Sequence, residues 1–342
     1  MSIEHFDSIY QSFPGLSAEE WKAKICKDLK GDSFEKLIWH TNEGFDVLPF
    51  YTKEDNKNYQ LNIPKRLTNG WQIAERIVVN NIETANAQAL LALENGATSI
   101  FFDVQHQSLS QNDVFGLVKN ILLDIAPVTF ENFNSNDKYV FESIVNNSCT
   151  PKVRVPKLEN ITEELVFALQ EGIQQKTNSF HFLITSNYFF EIAKLRAFRW
   201  LWKQASTVHQ LPTNANIIAE TCLNNLSKNE ENTNLLRNTT MAMSAILGTC
   251  DVLLVQSHNA EDNGFAKRMA RNIQHILQHE SNFDTMQDAA KGSYYIEYLT
   301  YQFCMQSWNK FTAQYSRHTT SYLFIIRNSF LSCNFILLMI LN

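Results

Sequence analysis

The sequence predicts an α/β fold, a (β/α)8 barrel of the TIM type preceded by an extended N-terminal arm. From Trp71 onward, short apolar runs rich in β-branched and aromatic residues alternate with helix-length amphipathic segments. The runs are continuously apolar, which is typical of parallel strands buried on both faces. Seven such runs are readable, and an eighth is plausible near residue 285. That number of units favours a closed barrel over an open sheet.

The arm is predicted over residues 1–70. Ser17 and Glu20 have the spacing of a capping box, which opens a helix that ends near Gly31. The rest of the arm reads as irregular and interrupted by Gly and Pro. Such a segment has too little apolar surface to fold alone, so we expect it to lie on another surface, either of its own barrel or of a partner.

The barrel is predicted over residues 71–312, as strands and helices in alternation. The predicted strands cover residues 71–79, 98–104, 128–131, 153–155, 180–185, 217–222 and 251–256. The predicted helices cover residues 84–94, 114–123, 188–205, 234–247, 266–279 and 301–311.

Residues 313–342 form an atypical apolar tail. No acidic residue follows Glu297, so the tail lacks the charged outer positions that a final barrel helix needs. Arg327 interrupts the apolar run, and a central Arg disfavours a membrane segment. We expect a premature or out-of-frame end of the coding sequence, and a tail that does not pack as a barrel element.

Composition excludes several classes of protein. The net charge of −6, without a run of basic residues, argues against a nucleic-acid partner. The ten glycines form neither of the glycine-rich phosphate loops of Rossmann and P-loop proteins. No signal peptide is visible, and the scattered cysteines are typical of reduced thiols, so a cytoplasmic location is expected. These cysteines are Cys26, Cys149, Cys222, Cys250, Cys304 and Cys333.

One pair of histidines has metal-ligand spacing. His275 and His279 lie four residues apart in a predicted helix. The residues between them are Ile, Leu and Gln, so the general-base Glu of the H-E-x-x-H motif is missing. A solvated polar helix face explains the pair better, and no metal site is predicted.

Polar residues near predicted strand ends are the remaining candidates. Asp103 and His106 follow a strand, where a barrel places catalytic groups, although a capped loop explains them as well. Glu220 is a candidate for lining the mouth of the barrel. Asp251 is a candidate for capping the turn into its strand.

Three blocks carry a family resemblance: residues 236–248, 268–274 and 292–297. In this order and spacing they resemble the late barrel region of methylmalonyl-CoA mutases, above all the small subunit of the two-subunit bacterial form. The resemblance also includes residues 188–197 and 29–32, and it covers about residues 10 to 312. It implies the same TIM-type barrel.

The resemblance also implies where chemistry would lie. Catalytic subunits of the family use adenosylcobalamin, whose cobalt is held by the histidine of D-x-H-x-x-G on a separate C-terminal domain. This motif does not occur here, and the cobalamin-binding domain is expected to be absent. Arg76 stands where the family has a substrate-contacting tyrosine, and Thr249 where it has a substrate-contacting histidine. We therefore expect no catalytic, cofactor-binding or metal-binding residue in this chain.

The expected function is that of a small structural subunit in a heterodimeric methylmalonyl-CoA mutase. The complex, an isomerase of propionate metabolism, would interconvert (R)-methylmalonyl-CoA and succinyl-CoA. The large subunit would hold adenosylcobalamin and the acyl-CoA, and this chain alone would be inactive. One alternative is a diverged acyl-CoA mutase that uses Arg76 and Thr249 on another substrate. Another is a truncated, nonfunctional product.

Overall fold

A computed structural model describes most of the chain, in two compact units that run to Tyr59 and from Gln60 onward. The described residues are 15–56, 59, 61–66, 68–134, 138–145, 149, 152–259 and 263–315. Apart from its first three residues, the predicted apolar tail lies outside them. None of the helices in this described part is long and apolar enough to span a bilayer.

The first unit begins with the predicted capping box. The Ser17 hydroxyl accepts a hydrogen bond from the amide of Glu20 at 3.2 Å, and the Glu20 carboxylate accepts one from the amide of Ser17 at 2.8 Å. The helix that follows is amphipathic in sequence but has no buried residue. The elements of this unit are α1 Ala18–Asp28, a 3-10 turn Phe34–Leu37, β1 Trp39–His40, β2 Asp46–Val47 and α2 Lys53–Asn56.

The second unit alternates strands and helices as the sequence predicts. Its strands are β3 Gln72–Val78, β4 Ser99–Asp103, β5 Val128–Glu131, β6 Val153–Arg154, β7 Ser179–Ile184, β8 Asn216–Thr221 and β9 Val252–Leu254. Its helices are α3 Ile82–Glu94, α4 Gln111–Leu117, α5 Lys138–Ile144, α6 Ile161–Gln174, α7 Tyr188–Val208, α8 Glu231–Leu247, α9 Gly264–His275 and α10 Tyr294–Tyr315. A π-helical turn, Ile276–Glu280, continues α9.

The seven strands form one curled parallel sheet in the order β5-β4-β3-β9-β8-β7-β6. The first and last strands along the chain, β3 and β9, are neighbours, with Gln72 level with Val252, and the order ends at β5 and β6. This arrangement confirms the predicted TIM-type fold. The eighth strand expected near residue 285 was wrong, because residues 281–293 contain only turns and bends. Since β9 pairs directly with β3, no position is left between them for another strand.

Two helices that the sequence did not predict, α5 and α6, complete the outer layer. The amphipathic helix α6 buries one face against the sheet, including Leu165 and Leu169. Helix α4 begins earlier than predicted because the Ser110 hydroxyl caps it by accepting from the amide of Asp113 at 3.2 Å. The apolar runs in the sequence therefore predicted the strands, whereas the exact ends of the helices depended on their capping residues.

Side chains of alternate strand residues fill both faces of the sheet. Outward-facing Phe180 lies 4.5 Å from Phe198 and 4.8 Å from Trp202 of α7, between ring centroids. Such aromatic pairs add to the stability from buried area. The inward-facing side chains form an apolar layer across the interior of the sheet, made of Ala74, Phe101, Ile218, Val252 and Leu254.

Gly172 lies where α6 packs against β7 and α7, so a substitution at this position tests the packing. A Cβ there would lie 2.7 Å from ring atoms of both Phe180 and Trp202. We expect Gly172→Ala to destabilise the protein by about 1–3 kcal/mol, because overpacking outweighs the gain in helix propensity. Urea denaturation measures the change in free energy of unfolding.

Gly264, the first residue of α9, is the matched control. A Cβ there meets no atom within 4 Å. Gly264→Ala should be neutral or slightly stabilising. Equal effects of the two substitutions would contradict the packing argument.

Candidate functional site

Charged side chains form a layer inside the sheet at the carboxyl ends of the strands, where a TIM-type barrel carries its active site. Arg76 belongs to β3, Glu131 to β5, His181 to β7 and Glu220 to β8. Each of these four side chains faces the interior of the sheet, on the same side as the apolar layer. Lys152, next to β6, completes this ionic layer.

The central contact of the ionic layer is the pair between Arg76 and Glu220. The Arg76 guanidinium donates to both carboxylate oxygens of Glu220, with Nη2 2.9 Å from Oε2. Its Nε donates to Oε2 of Glu131 at 3.1 Å. Burial opposes the charged form of Arg76, but Glu220 and Glu131 outweigh it, and the pKa of Arg76 is raised. Arg76 is therefore a fixed cation shared by two carboxylates.

The carboxylates are held in the charged form by the same contacts. Burial alone would raise the pKa of Glu220, but contacts with Arg76 and His181 hold it well below its usual range. Burial likewise opposes ionisation of Glu131, and the charges of Lys152 and Arg76 outweigh it, so its pKa is lowered. A carboxyl group that acts as a general acid at neutral pH needs a raised pKa. The pKa values of Glu131 and Glu220 are instead lowered.

His181 lies between both carboxylates and is fully enclosed. Its Nε2 is 2.7 Å from Oε2 of Glu220, and its Nδ1 is 3.9 Å from Oε1 of Glu131. Burial lowers the pKa of His181, with the carboxylates opposing. Lys152 lies 3.4 Å from Glu131, and its Nζ is 4.6 Å from the centroid of the Phe101 ring. The ionic layer thus rests on the apolar layer.

A cavity of about 290 Å³ adjoins the ionic layer and is lined by Arg154, His181, Leu183 and Glu220 among others. Arg154 is the most exposed cation here, 54% exposed and 3.7 Å from Glu131. The other charged groups of the ionic layer are paired with one another. This arrangement ties strands together, and it holds Glu131 and Glu220 in the charged form.

The structure does not bring Thr249 to the same site as Arg76. Gln72 is level with Val252, so Arg76 lies four residues further toward the carboxyl end, roughly 13 Å along the strands. Thr249 precedes β9, at the opposite end of the sheet. Its hydroxyl accepts from Nε of Arg199 at 2.7 Å, and its backbone has a positive φ of 72°. Thr249 therefore has a structural contact far from the ionic layer.

The other strand-end candidates form structural contacts. Asp103 accepts from the amide of Gln105 at 3.1 Å and from Nδ2 of Asn132 at 2.8 Å. The backbone amide of His106 donates to the carbonyl of Asn132 at 2.6 Å, while its side chain is exposed. This is the capped loop that the sequence allowed.

Asp251 also has a structural role, at the amino end of β9. Its Oδ2 accepts from the amide of Ile217 and from Arg199, each at 2.7 Å. The carboxylate therefore joins the starts of β8 and β9 to α7. Glu220, by contrast, lines the mouth as predicted.

His275 and His279 stack on each other, with ring centroids 5.9 Å apart and planes inclined by 10°. His275 packs against Gly96, where an added Cβ would lie 2.4 Å from its Nε2. In the part of the chain that is described, no group of three or more His, Cys, Asp or Glu side chains is arranged to hold a metal ion.

The motif over residues 188–197 contains two buried cations that face different neighbours. Lys194 lies 2.5 Å from Glu191 and 3.1 Å from Glu164. Arg196 pairs with Asp288 at 3.0 Å and with Glu297 at 2.9 Å, which joins α7 to the segment around α10. These motif residues stabilise the fold.

Asn238, in the motif over residues 236–248, and Asn234, just before it, hold the loop that follows β9 at the mouth of the barrel. Asn238 Nδ2 donates to the carbonyl of Gln256 at 2.8 Å, and Asn234 Nδ2 donates to that of His258 at 2.9 Å. Both contacts fix the loop that follows β9.

Sequence reasoning missed His181, Glu131 and Lys152. A signal was present, because His181 and Glu220 are each the one ionisable residue of a mainly apolar strand. A single charged residue on the inward parity of a buried strand needs a partner on a neighbouring strand. Which strands would supply the partners depended on the closure of the sheet.

The geometry defines a TIM-type barrel protein whose mouth is filled by an ionic layer. Comparison with known proteins agrees with the motifs, since the family model for methylmalonyl-CoA mutase matches residues 170–315. Over this region the chain is similar to methylmalonyl-CoA mutases.

Several curated relatives cover most of the chain. The methylmalonyl-CoA mutase small subunit of Porphyromonas gingivalis is 29% identical over 89% of this chain and 64% of its own length. The small subunit from Streptomyces virginiae is 24% identical, with the same coverage of both proteins. A methylmalonyl-CoA mutase of Rhizobium meliloti is 26% identical over 85% of the chain and 57% of its own length. The chain thus spans less than two thirds of the length of these relatives.

The enclosed imidazole of His181 predicts a pH dependence of stability. Because burial lowers its pKa in the folded state, the unfolded state binds more protons at mildly acidic pH. Stability should therefore fall as the pH drops below about 6.5, the value of an unperturbed histidine. His181→Gln should reduce that slope by up to about 1.4 kcal/mol per pH unit.

Urea midpoints measured between about pH 7.5 and pH 5 would give both slopes across the unperturbed value of histidine. His106→Asn, which alters an exposed imidazole, is the control and should retain the slope of the unaltered protein. If His181→Gln retains that slope too, His181 is not the group responsible.

Proposed function

We propose that this chain is the small structural subunit of an adenosylcobalamin-dependent methylmalonyl-CoA mutase. The heterodimer with the large subunit would interconvert (R)-methylmalonyl-CoA and succinyl-CoA. The observation that carries the proposal is the state of Arg76, at the position where the family resemblance expects a substrate-contacting tyrosine. Its guanidinium is occupied by Glu220 and Glu131. The names of the relatives as small subunits support the same assignment.

The filled interior of the barrel supports a structural role for this chain. The apolar layer and the ionic layer occupy successive levels inside the sheet; the apolar layer, Glu131, His181 and Glu220 are buried, and Arg76 is 21% exposed. A substrate at the mouth would have to break the pair between Arg76 and Glu220 and leave buried charges without partners, at a cost of several kcal/mol. The isomerase activity is therefore assigned to the complex, and its reacting groups to the large subunit.

Adenosylcobalamin does not fit the residues of this barrel. When bound, this cofactor supplies the radical for the rearrangement. His181, the imidazole inside the sheet, is enclosed and lies within 2.7 Å of the Glu220 carboxylate, so it is not free to ligate cobalt. We assign the cofactor and the acyl-CoA to the large subunit.

The alternative of a diverged acyl-CoA mutase requires Arg76 and Thr249 to act on one substrate. The two residues lie at opposite ends of the sheet, which weighs against it. A nonfunctional product is the other alternative, and assembly with the large subunit separates it from the proposal. Neither a nucleic-acid nor a membrane partner is part of the proposal, and the complex is placed in the cytoplasm.

The first unit offers apolar surface for the large subunit. Leu16 is 69% exposed, and Trp21 and Trp39 are each 48% exposed. Exposed aromatic residues are enriched at the centres of interfaces, and permanent interfaces commonly bury upward of about 2,000 Å². We assign part of the subunit interface to this surface.

The purified chain alone should not turn over methylmalonyl-CoA when adenosylcobalamin is added, because its ionisable mouth residues are paired with one another. The chain mixed with the large subunit should give an active complex. A coupled assay for succinyl-CoA measures both. Turnover by the chain alone would contradict the structural-subunit proposal.

Removal of residues 1–64 should abolish co-purification with the large subunit while the circular dichroism of the barrel is largely retained. The double substitution Leu16→Ala with Trp21→Ala should weaken co-purification, with a loss on the order of 2 kcal/mol for each anchor residue. Leu122→Ala with Ile125→Ala, at residues 69% and 75% exposed in the second unit, is the matched control. Undiminished binding by the deletion would place the interface elsewhere.

A further inference from the structure

Glu131 is the shared acceptor of three cations at the mouth of the barrel. Nε of Arg76 lies 3.1 Å from one of its carboxylate oxygens, Nζ of Lys152 lies 3.4 Å from the other, and Nη2 of Arg154 lies 3.7 Å away. Arg76 also donates to both carboxylate oxygens of Glu220. Lys152 and Arg154 therefore have only a share of one carboxylate between them.

The ionic layer together with Arg154 has more cations than carboxylates. Among the described residues, the two arginines and Lys152 stand against Glu131 and Glu220. Burial lowers the pKa of the enclosed His181, which favours its neutral form. At the other cavity on this side of the sheet, between β3 and α9, the buried pair is matched one to one, Arg271 with Glu75.

Lys152 is the one cation of the three that can give up a proton. Guanidinium groups stay protonated in proteins, whereas a buried lysine beside other cations loses its proton readily. Burial is the largest influence on the pKa of Lys152 and lowers it; Glu131 opposes this, and Arg154 and Arg76 lower it further. A neutral Lys152 amine removes the excess of cations, and its lone pair makes it a nucleophile.

The Lys152 amine lies at the border between the ionic and apolar layers. Its Nζ is 4.6 Å from the centroid of the Phe101 ring, and 13% of its side chain is exposed at the mouth. Arg154 points to the same side, because both side chains reach Glu131. It is 54% exposed and lines the cavity of about 290 Å³ beside His181.

The cavity favours a small ligand with one carboxylate. The contact of Arg154 with Glu131 is longer than a hydrogen bond, so its guanidinium has donors available for a carboxylate of the ligand. Val155, Pro156 and Leu183 supply an apolar part of the lining. The volume corresponds to on the order of ten water molecules at about 30 Å³ each, which suits a short-chain acid and not a CoA ester.

We propose that Lys152 is a nucleophilic amine that forms an imine with a small 2-oxo acid, whose carboxylate pairs with Arg154. The Lys152 nitrogen forms a bond to the carbonyl carbon, and the bond from that carbon to its oxygen breaks. The oxygen leaves as water with both protons of the neutral amine, so the step needs no oxidant or reductant. The inference does not rest on the subunit assignment, because every group belongs to this chain.

The test incubates the full chain with pyruvate and cyanoborohydride near neutral pH and maps the adducts by peptide mass. Cyanoborohydride reduces the imine to a secondary amine that survives digestion. Lys119, exposed near the end of α4, is the reference lysine in the same digest. Acetaldehyde, which has the carbonyl group and no carboxylate, replaces pyruvate in a parallel reaction.

We expect the pyruvate adduct to form at least about tenfold faster on Lys152 than on Lys119, since each unit by which the pKa of an amine is lowered gives about tenfold more neutral amine. Arg154→Gln should slow pyruvate labelling of Lys152 severalfold more than acetaldehyde labelling, because it removes the partner of the carboxylate. Lys152→Arg, which keeps the charge, should remove the fast fraction of incorporation. Lys203→Gln, at an exposed position of α7, is the control for the lost charge and should change neither rate.

Labelling of Lys152 no faster than that of Lys119 would overturn the proposed nucleophile. An equal effect of Arg154→Gln on the pyruvate and acetaldehyde reactions would overturn the role given to Arg154. The first result comes from the unaltered chain, so it does not depend on whether Lys152→Arg folds. Assembly with the large subunit is a separate measurement, so failure of imine formation leaves the subunit proposal standing.

Discussion

The pair between Arg76 and Glu220 joins β3 to β8 across the interior of the curled sheet, with charged groups that are largely removed from water. Loss of one partner of a buried pair costs about 3–5 kcal/mol, because the other charge is left uncompensated. Glu131, Lys152 and His181 extend the network to β5, the start of β6 and β7. These contacts tie the strands to one another across the interior of the sheet.

Helix α7 also carries buried cations that pair with acidic residues of neighbouring elements, here outside the sheet. Lys194 pairs with Glu164 of α6, Arg196 with Glu297 of α10, and Arg199 with Asp251 before β9. All three cations are buried, so each requires its partner and each fixes one neighbouring element. Two of these cations, Lys194 and Arg196, lie in the block over residues 188–197 that contributes to the family resemblance, so this part of the resemblance consists of structural ion pairs.

The two cavities at the carboxyl ends of the strands differ in the state of their cations. Beside His181, Arg154 is half exposed and lies near Glu131, and the buried Nε2 of His181 lies 2.7 Å from Glu220 without the geometry of a hydrogen bond. Between β3 and α9, Arg271 is enclosed with one nitrogen that lacks an acceptor in the described part of the chain.

The sequence by itself determined the class of fold and most of the strands, because a strand buried on both faces must be apolar along its length, as in residues 99–103 and 179–184. It also determined the capping box at Ser17, since that signal is local. Tertiary structure decided the rest. Closure of β9 on β3 left no position for a strand near residue 285, and strand register separated Thr249 from Arg76. The partners of Arg76, His181 and Arg271 lie between 39 and 196 residues away along the chain. Local patterns carry no information about such pairs, because only the folded sheet sets which inward-facing residues meet.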